Sequence, residues 1–491
     1  MSDSQKRLVL IACVMGTTVV TVDSTVVNVA LPAIREDLGG GFAGQQWTAN
    51  AYLVTLASLI LIGGSLGDIF GERRVFSLGV AGFGVASILC ALAPTIELLV
   101  VARALQGVAG AMLTPAALAV IVTVFPEDER AKAVGAWTAW GAIGVVLGPL
   151  VGGQIVDSGS WRWIFALNVP LVLATMVLVA RAVPEGRGAA TDTKVDVLGA
   201  ALCALGLAGF TFGLIRQPEV GSFADPTVAV PLIVGVASFT AFLVYEARAS
   251  HPMLPLQLFR RRNFAAGNIE TLSMYAGLSL LFFFLVLFLQ NAAGYSAVAA
   301  GSASLPVTIV MFLTSMRFGA LADRFGPRFF MGVGPIVAGL GMLLLTQLEP
   351  DLNYATDLLP GLLIFAVGLS MTVAPLTATV LSDADEHNAG IASGVNNAIA
   401  RMAGLLGISI VGAIVAGRYG DAASSSVGAF HLAMAISAGL VIAGGVLGLI
   451  GIRNPRREVK SAECPGGQLV GSSAEAARRA ERQAEESRAA A

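Results

Sequence analysis

The chain has 491 residues, 56% of them hydrophobic and 13% charged, with a formal net charge of −2. Soluble domains carry about 25% charged residues, so this chain has too few charges to cover a water-exposed surface around so much apolar material. The near-zero net charge gives no basis for a nucleic-acid partner, and a bilayer is the solvent that fits the composition.

A helix needs about 20 apolar residues to cross the hydrocarbon core. Fourteen such segments are predicted, near 8–31, 47–67, 75–93, 97–121, 134–154, 161–181, 196–215, 227–247, 264–289, 299–321, 329–348, 358–381, 391–416 and 429–452. Lys6 and Arg7 followed by an apolar run imitate a signal peptide, but the run passes Asp23 to Pro32 with no small-residue cleavage site, so it reads as a retained first span. The uncharged stretch from Thr271 to Met316 is too long for one span, and QNAAGYSAVAAG (290–301) divides it at a turn-like break. The segments are long, continuous and rich in Leu, Ala and Gly, which selects helices over barrel strands.

Lys and Arg placement sets the orientation. With the N-terminus in the cytoplasm, fifteen basic residues before the tail fall on the cytoplasmic side and four (Arg35, Arg162, Arg216 and Arg418) on the other. Arg103, Arg317 and Arg401 fall within or at the edge of spans. An even number of spans places both termini in the cytoplasm. The four cysteines, Cys13, Cys90, Cys203 and Cys464, show no metal or disulfide spacing and read as small filler.

GSLGDIFGERR (64–74) ends the second span and GALADRFGPR (319–328) the tenth. Both read Gly-x-Leu-x-Asp-x-Phe-Gly and then basic residues, the mark of a duplicated bundle. The expected organisation is an N-terminal six-helix bundle (8–182), an inserted two-helix hairpin (195–248), a C-terminal six-helix bundle (263–452) and a polar cytoplasmic tail (453–491). The tail is Ala-, Glu- and Arg-rich and reads as a short solvated helix or disorder.

DSTVVNVALPAI (23–34), GSLGDIFGERR, RALQGVAGA (103–111), GAWTAWGAIGVVLGPLVGG (135–153) and WRWIFALNVP (161–170) together resemble motifs of the major facilitator superfamily, and within it the fourteen-span drug:proton antiporters. The resemblance covers about residues 8–452 and implies an all-α membrane fold of two six-helix bundles plus a hairpin, 14 helices in all. It further implies proton-coupled efflux of small organic molecules by alternating access, in a bacterial cell membrane. The loop motif is implied to act as a gate latch, through Gly64, Asp68, Gly71, Arg73, Arg74, Asp323, Arg324 and Gly326; simple positive-inside anchoring is the other reading of its arginines. The fifth-span motif, Gly135, Gly144, Gly148, Pro149, Gly152 and Gly153, is implied to mark exporters.

Physical chemistry gives these positions content. Gly144, Gly148 and Gly152, joined by Gly141, share one helix face, while Gly135 points nearly opposite. A strip without side chains lets another helix approach closely, and Pro149 favours a bend. The expectation is that the strip shapes the contact between halves, against ordinary helix packing. Charges at membrane depth cost at least about 2.5–3.5 kcal/mol, so each needs a reason. Asp23 and Glu270 are candidate proton carriers and Arg103 the charge that tunes coupling. The structural alternatives are a helix-bend ligand (Asp23 with Ser24 and Thr25), a donor to carbonyls (Arg103) and a solvated interfacial carboxylate (Glu270). Asn28, Trp137, Trp140, Asn268, Tyr275, Asn396 and Asn397 are candidate cavity residues, packing being the commoner use of each. A lipophilic or cationic substrate would need an acid, which Asp23 or Glu270 could supply.

No phosphate-binding loop occurs, so an ion gradient is the expected energy source and no cofactor is implied. His251, His387 and His431 lie in or beside loops, without H-E-x-x-H or G-x-S-x-G, which argues against an enzyme. A same-fold importer and a passive facilitator are the alternatives. Direction of flux and gradient dependence separate them from an exporter.

Overall fold

Backbone polar groups in lipid must be satisfied within the chain, and long apolar segments do this as helices. In a computed structural model, which describes residues 1–184, 195–382, 389–417 and 423–454, every regular element is helical. The Asp68 side chain, several α5 side chains, most of the segment 184–196 and the polar tail beyond Asn454 lie outside that description.

The long helices run in chain order. The first six are α1 (Asp3–Leu38), α2 (Gly41–Phe70), α3 (Glu72–Ala91), α4 (Ile96–Val124), α5 (Glu127–Ser158) and α6 (Trp163–Ala182). Next come α7 (Val197–Val220) and α8 (Pro226–Glu246), then α9 (Arg262–Asn291), α10 (Ala297–Phe325) and α11 (Pro327–Leu345). The last are α12 (Leu359–Ser382), α13 (Ala389–Ala416) and α14 (Ala423–Gly451). Thirteen described helices are long and apolar enough to cross a membrane, and the expected fifth span lies inside the 32-residue α5. Several helices outrun the expected apolar spans because caps prolong them into polar sequence. α1, for example, starts at a Ser2–Gln5 capping box and stops at Gly39, φ +75°. The expected break near 290–301 is a turn at 292–296 with Gly294 at φ +68°, after which Ser296 caps α10.

Because the helices alternate in direction, α1 begins and α2 ends at one end of the bundle, here the basic end, and the 38–41, 158–163 and 291–297 turns lie at the far end. α2 packs on α4, α3 on α4, α1 on α5 and α6, and α3 on α6. The same pairings recur as α10 on α12, α11 on α12, α9 on α13 and α14, and α11 on α14. The halves meet where α2 lies on α13, α5 on α10 and α1 on α9, and α7 of the hairpin leans on both α2 and α13. Gly71 (φ +89°, ψ 132°) and Gly326 (φ +92°, ψ 146°) make the same turn in the two halves, a conformation that side-chain-bearing residues avoid.

Candidate functional site

The N-terminal half is built around one buried ion pair. Asp23, from the middle of α1, is 0% exposed, and Arg103, from α4, is 1% exposed. The Arg103 guanidinium donates to Asp23 Oδ2, to Gln106 Oε1 at 2.7 Å and, through Nε, to the Thr48 carbonyl of α2 at 3.2 Å. Gln106 Nε2 and Asn168 Nδ2 each donate to Asp23 Oδ1 at 3.0 Å. The same two amides reach Ser87 Oγ of α3 at 2.8 and 3.2 Å. Arg103 lies over the rings of Tyr52, 4.6 Å to the centroid, and Phe165, 5.7 Å. Five helices of one half thus converge on a single carboxylate. Such a pair holds its geometry through added hydrogen bonds, and losing one partner leaves a buried charge alone, at a cost of about 3–5 kcal/mol.

The sequence reading placed Asp23 and Arg103 here but missed Gln106, Ser87 and Asn168. Gln106 stands one turn after Arg103 inside RALQGVAGA, and Asn168 stands inside WRWIFALNVP at the join between Trp163–Ala166 and Asn168–Ala182. Both residues lie inside motifs that carry the family resemblance. Ser87 sits in a plain apolar stretch that gives none.

Glu270 does not join this cluster. It is 0% exposed on α9, neither carboxyl oxygen has a hydrogen-bond partner, and Oε2 lies 2.9 Å from where a Cβ on Gly448 of α14 would stand. It is therefore not the solvated interfacial carboxylate that was the alternative. Of the cavity candidates, Asn396 Nδ2 donates to Asn268 Oδ1 at 3.1 Å and Thr271 Oγ1 at 2.7 Å, joining α13 to α9. Trp137 Nε1 donates to Thr17 Oγ1 at 2.8 Å, joining α5 to α1. Trp140 is 57% exposed, and Asn28, Tyr275 and Asn397 are half-buried.

The glycine strip of α5 seats α1, a helix of its own half. A Cβ on Gly144 would meet Thr21 Oγ1 at 2.3 Å, on Gly148 Thr25 Oγ1 at 2.0 Å, and on Gly152 Val26 Cγ2 at 2.2 Å; Gly141 faces Thr17. The inter-half contact expected of the whole strip is made by its end. A Cβ on Gly153 would meet Val298 Cα at 2.6 Å, and one on Gly301 would meet the Pro149 carbonyl oxygen at 2.4 Å. Asp157, one turn beyond, accepts from the Ala297 and Val298 amides of α10 at 2.9 and 2.8 Å. Gln290 Nε2 of α9 donates to the Val29 carbonyl of α1 at 3.0 Å. Gly135 has nothing within 4 Å of a built Cβ.

In the loop motifs, Arg73 Nη2 donates to the Ala180 carbonyl at the end of α6 at 3.3 Å, and Arg328 Nε to the Leu449 carbonyl at the end of α14 at 2.6 Å. These guanidiniums cap the last carbonyls of equivalent helices, where a cation also suits the helix dipole. Arg74, Asp323 and Arg324 are exposed, the last lying over the Phe325 ring, and Gly64 has open space around it.

Comparison with known proteins matches these features. The sequence profile of the Major Facilitator Superfamily matches residues 13–408. The chain is 35% identical over 412 residues to the puromycin resistance protein pur8 of Streptomyces alboniger, covering 83% of this chain and 81% of that one. It is 34% identical over 437 residues to the cephamycin export protein CmcT of Amycolatopsis lactamdurans, covering 85% and 88%. Its fold resembles the crystal structure of a bacterial homologue of the human lysosomal transporter Spinster, with TM-score 0.67 at 17% identity, covering 92% and 98%. With the duplicated bundle, the paired turns and these matches, the chain belongs to the major facilitator superfamily.

Proposed function

We propose that this chain exports small organic molecules from a bacterial cytoplasm in exchange for protons, by alternating access to one site between its halves. Relatives named for antibiotic resistance and export support the direction. Residues 8–182 and 263–452 act as the two moving bodies and 195–248 as an inserted hairpin, with both termini in the cytoplasm. In that orientation the far end, joined by Asp157, Gln290 and the Gly153 contact, faces outward and is shut. The basic end faces inward.

The observation that carries the coupling scheme is the Asp23–Arg103 pair. A proton on Asp23 neutralises the group that holds Arg103, Gln106 and Asn168 together, and α1, which carries Asp23, also touches α9 of the other half. Protonation therefore loosens one half at the helix that contacts its partner. Glu270 is the second proton carrier, within the C-terminal half, and the loop motifs around Asp68 and Asp323 bias the two states at the cytoplasmic face. The test is dye efflux and drug tolerance in a pump-deleted bacterial host, with and without an uncoupler. Uncoupler-sensitive efflux is expected for the native protein and not for Asp23→Asn. Efflux by Asp23→Asn at the native rate, still uncoupler-sensitive, removes Asp23 from the scheme.

A further inference from the structure

We infer that Arg401 is the substrate-charge determinant of the central site, and that the class of substrate it selects is an organic anion: a carboxylate or phenolate on an aromatic body. The inference rests on the transporter reading above. Among the described residues the buried carboxyl groups are closed off: those of Asp196 and Glu246 accept from backbone amides at the ends of the hairpin helices. Asp23 is consumed by Arg103, Gln106 and Asn168, and Glu270 is turned into the packing of its own half against α14. Neither is presented to a cationic ligand.

Arg401 differs. It stands in the middle of α13, is partly accessible, and makes no ion pair or hydrogen bond with any described residue. Gly394, Arg401 and Ile408 are spaced two helical turns apart and so lie along one stripe. That stripe faces the other half. A Cβ on Gly394 would meet Leu61 of α2 at 3.4 Å, and the Ile408 carbonyl accepts from Gln46 of α2 at 3.0 Å. Between those two contacts Arg401 lies on the α13 stripe that runs along α2, and one turn after it a Cβ on Gly404 would meet Ser279 Oγ of α9 at 2.6 Å and Leu53 of α2 at 3.9 Å. Tyr52 Oη is buried without a hydrogen-bond partner, and its ring already lies under Arg103. A partly accessible guanidinium thus stands where α2, α9 and α13 meet, with no ion pair to a carboxylate among the described residues.

A charge left alone at membrane depth faces the bundle interior or a watered cavity and marks a pathway. A guanidinium presents a planar fork of donors that matches a carboxylate, and it stacks on aromatic faces. Asp23 and Arg103 are spent on each other, which leaves the Arg401 guanidinium to favour anions and disfavour lipophilic cations.

The experiment is equilibrium dye binding to the purified full-length protein in nanodiscs, with no gradient, so it reads charge preference independently of export. Three xanthene probes share one framework: anionic fluorescein, its neutral ester with both the carboxyl and the phenol methylated, and cationic rhodamine 6G. Native protein is expected to bind fluorescein more tightly than the other two. Arg401→Gln is expected to weaken fluorescein by about tenfold to a hundredfold while leaving the ester unchanged, and Arg401→Lys to keep part of the preference. The inference is overturned if native protein fails to bind fluorescein or prefers rhodamine 6G, if Arg401→Gln keeps the fluorescein preference, or if both variants lose ester and anion alike, which would make Arg401 scaffold. Phosphatidylcholine discs with and without phosphatidylglycerol should give equal affinities. Displacement of dye by the anionic lipid in native protein but not in Arg401→Gln would assign the guanidinium to a headgroup and overturn the substrate reading. Loss of uncoupler-sensitive efflux with these binding results intact would strike the export scheme alone.

Discussion

The two halves share a packing plan and differ in charge. Both close their second helix with a positive-φ glycine, Gly71 and Gly326, and both tie the next arginine-bearing loop to the end of their sixth helix, through Arg73 and Arg328. Yet the N-terminal half locks a carboxylate and a guanidinium into a network spanning five helices, whereas the C-terminal half buries Glu270 without a partner and leaves Arg401 accessible. A duplicated scaffold conserves what backbone satisfaction in lipid demands. It leaves the interior side chains free to diverge, so that one half carries a buried charge pair and the other an accessible charge.

The largest expected effect tests that contrast directly. Arg103→Ala leaves Asp23 buried without its cation and should destabilise the purified protein by about 3–5 kcal/mol. Glu270→Gln removes no partner and should change stability by about 1 kcal/mol or less. Equal losses in denaturant unfolding of the two variants would erase the distinction between the halves. Next, Gly148→Ala pushes a methyl group into Thr25 and the Val22 carbonyl, 2.0 and 3.0 Å away. A loss of about 1–3 kcal/mol is expected, together with slower efflux, because the displaced helix carries Asp23.

Smaller effects address the far-end contact. Asp157→Ala strips the acceptor from the Ala297 and Val298 amides and should cost about 0.5–2 kcal/mol. The loss falls on the shut state, so spin labels across the far end should report a larger separated population. An unchanged distance distribution would mean that Asp157 caps α10 without holding the gate. At the bottom of the scale, Gly135→Ala meets no atom within 4 Å. A neutral or slightly stabilising change, within about 1 kcal/mol, is expected from helix propensity, and native efflux should persist. A strong efflux defect would show that the motif's first glycine acts in a state other than this one.

The sequence made the helices legible because hydropathy and span length are local properties, and the repeat legible because 64–74 and 319–328 align by eye. It also pointed to Asp23 and Arg103, since a charge inside an apolar run stands out. It misjudged what the α5 strip touches. A run of small residues announces a close neighbour without saying which helix that is, and the neighbour is α1, with only Gly153 and Pro149 reaching α10. Asn396 and Asn268 read as cavity candidates and are placed against each other, because a polar residue in an apolar helix looks the same whether its partner is a ligand or another side chain.

Sequence alone determined that this chain lives in lipid as a duplicated bundle of helices, because apolar length and the positions of Lys and Arg answer to the bilayer and to nothing else in the molecule. Which buried charges are spent on each other and which remain available was decided only in three dimensions. Asp23 and Arg103 lie eighty residues apart, and whether a guanidinium at membrane depth meets a carboxylate or an open space depends on how helices cross, a relation that no local pattern encodes.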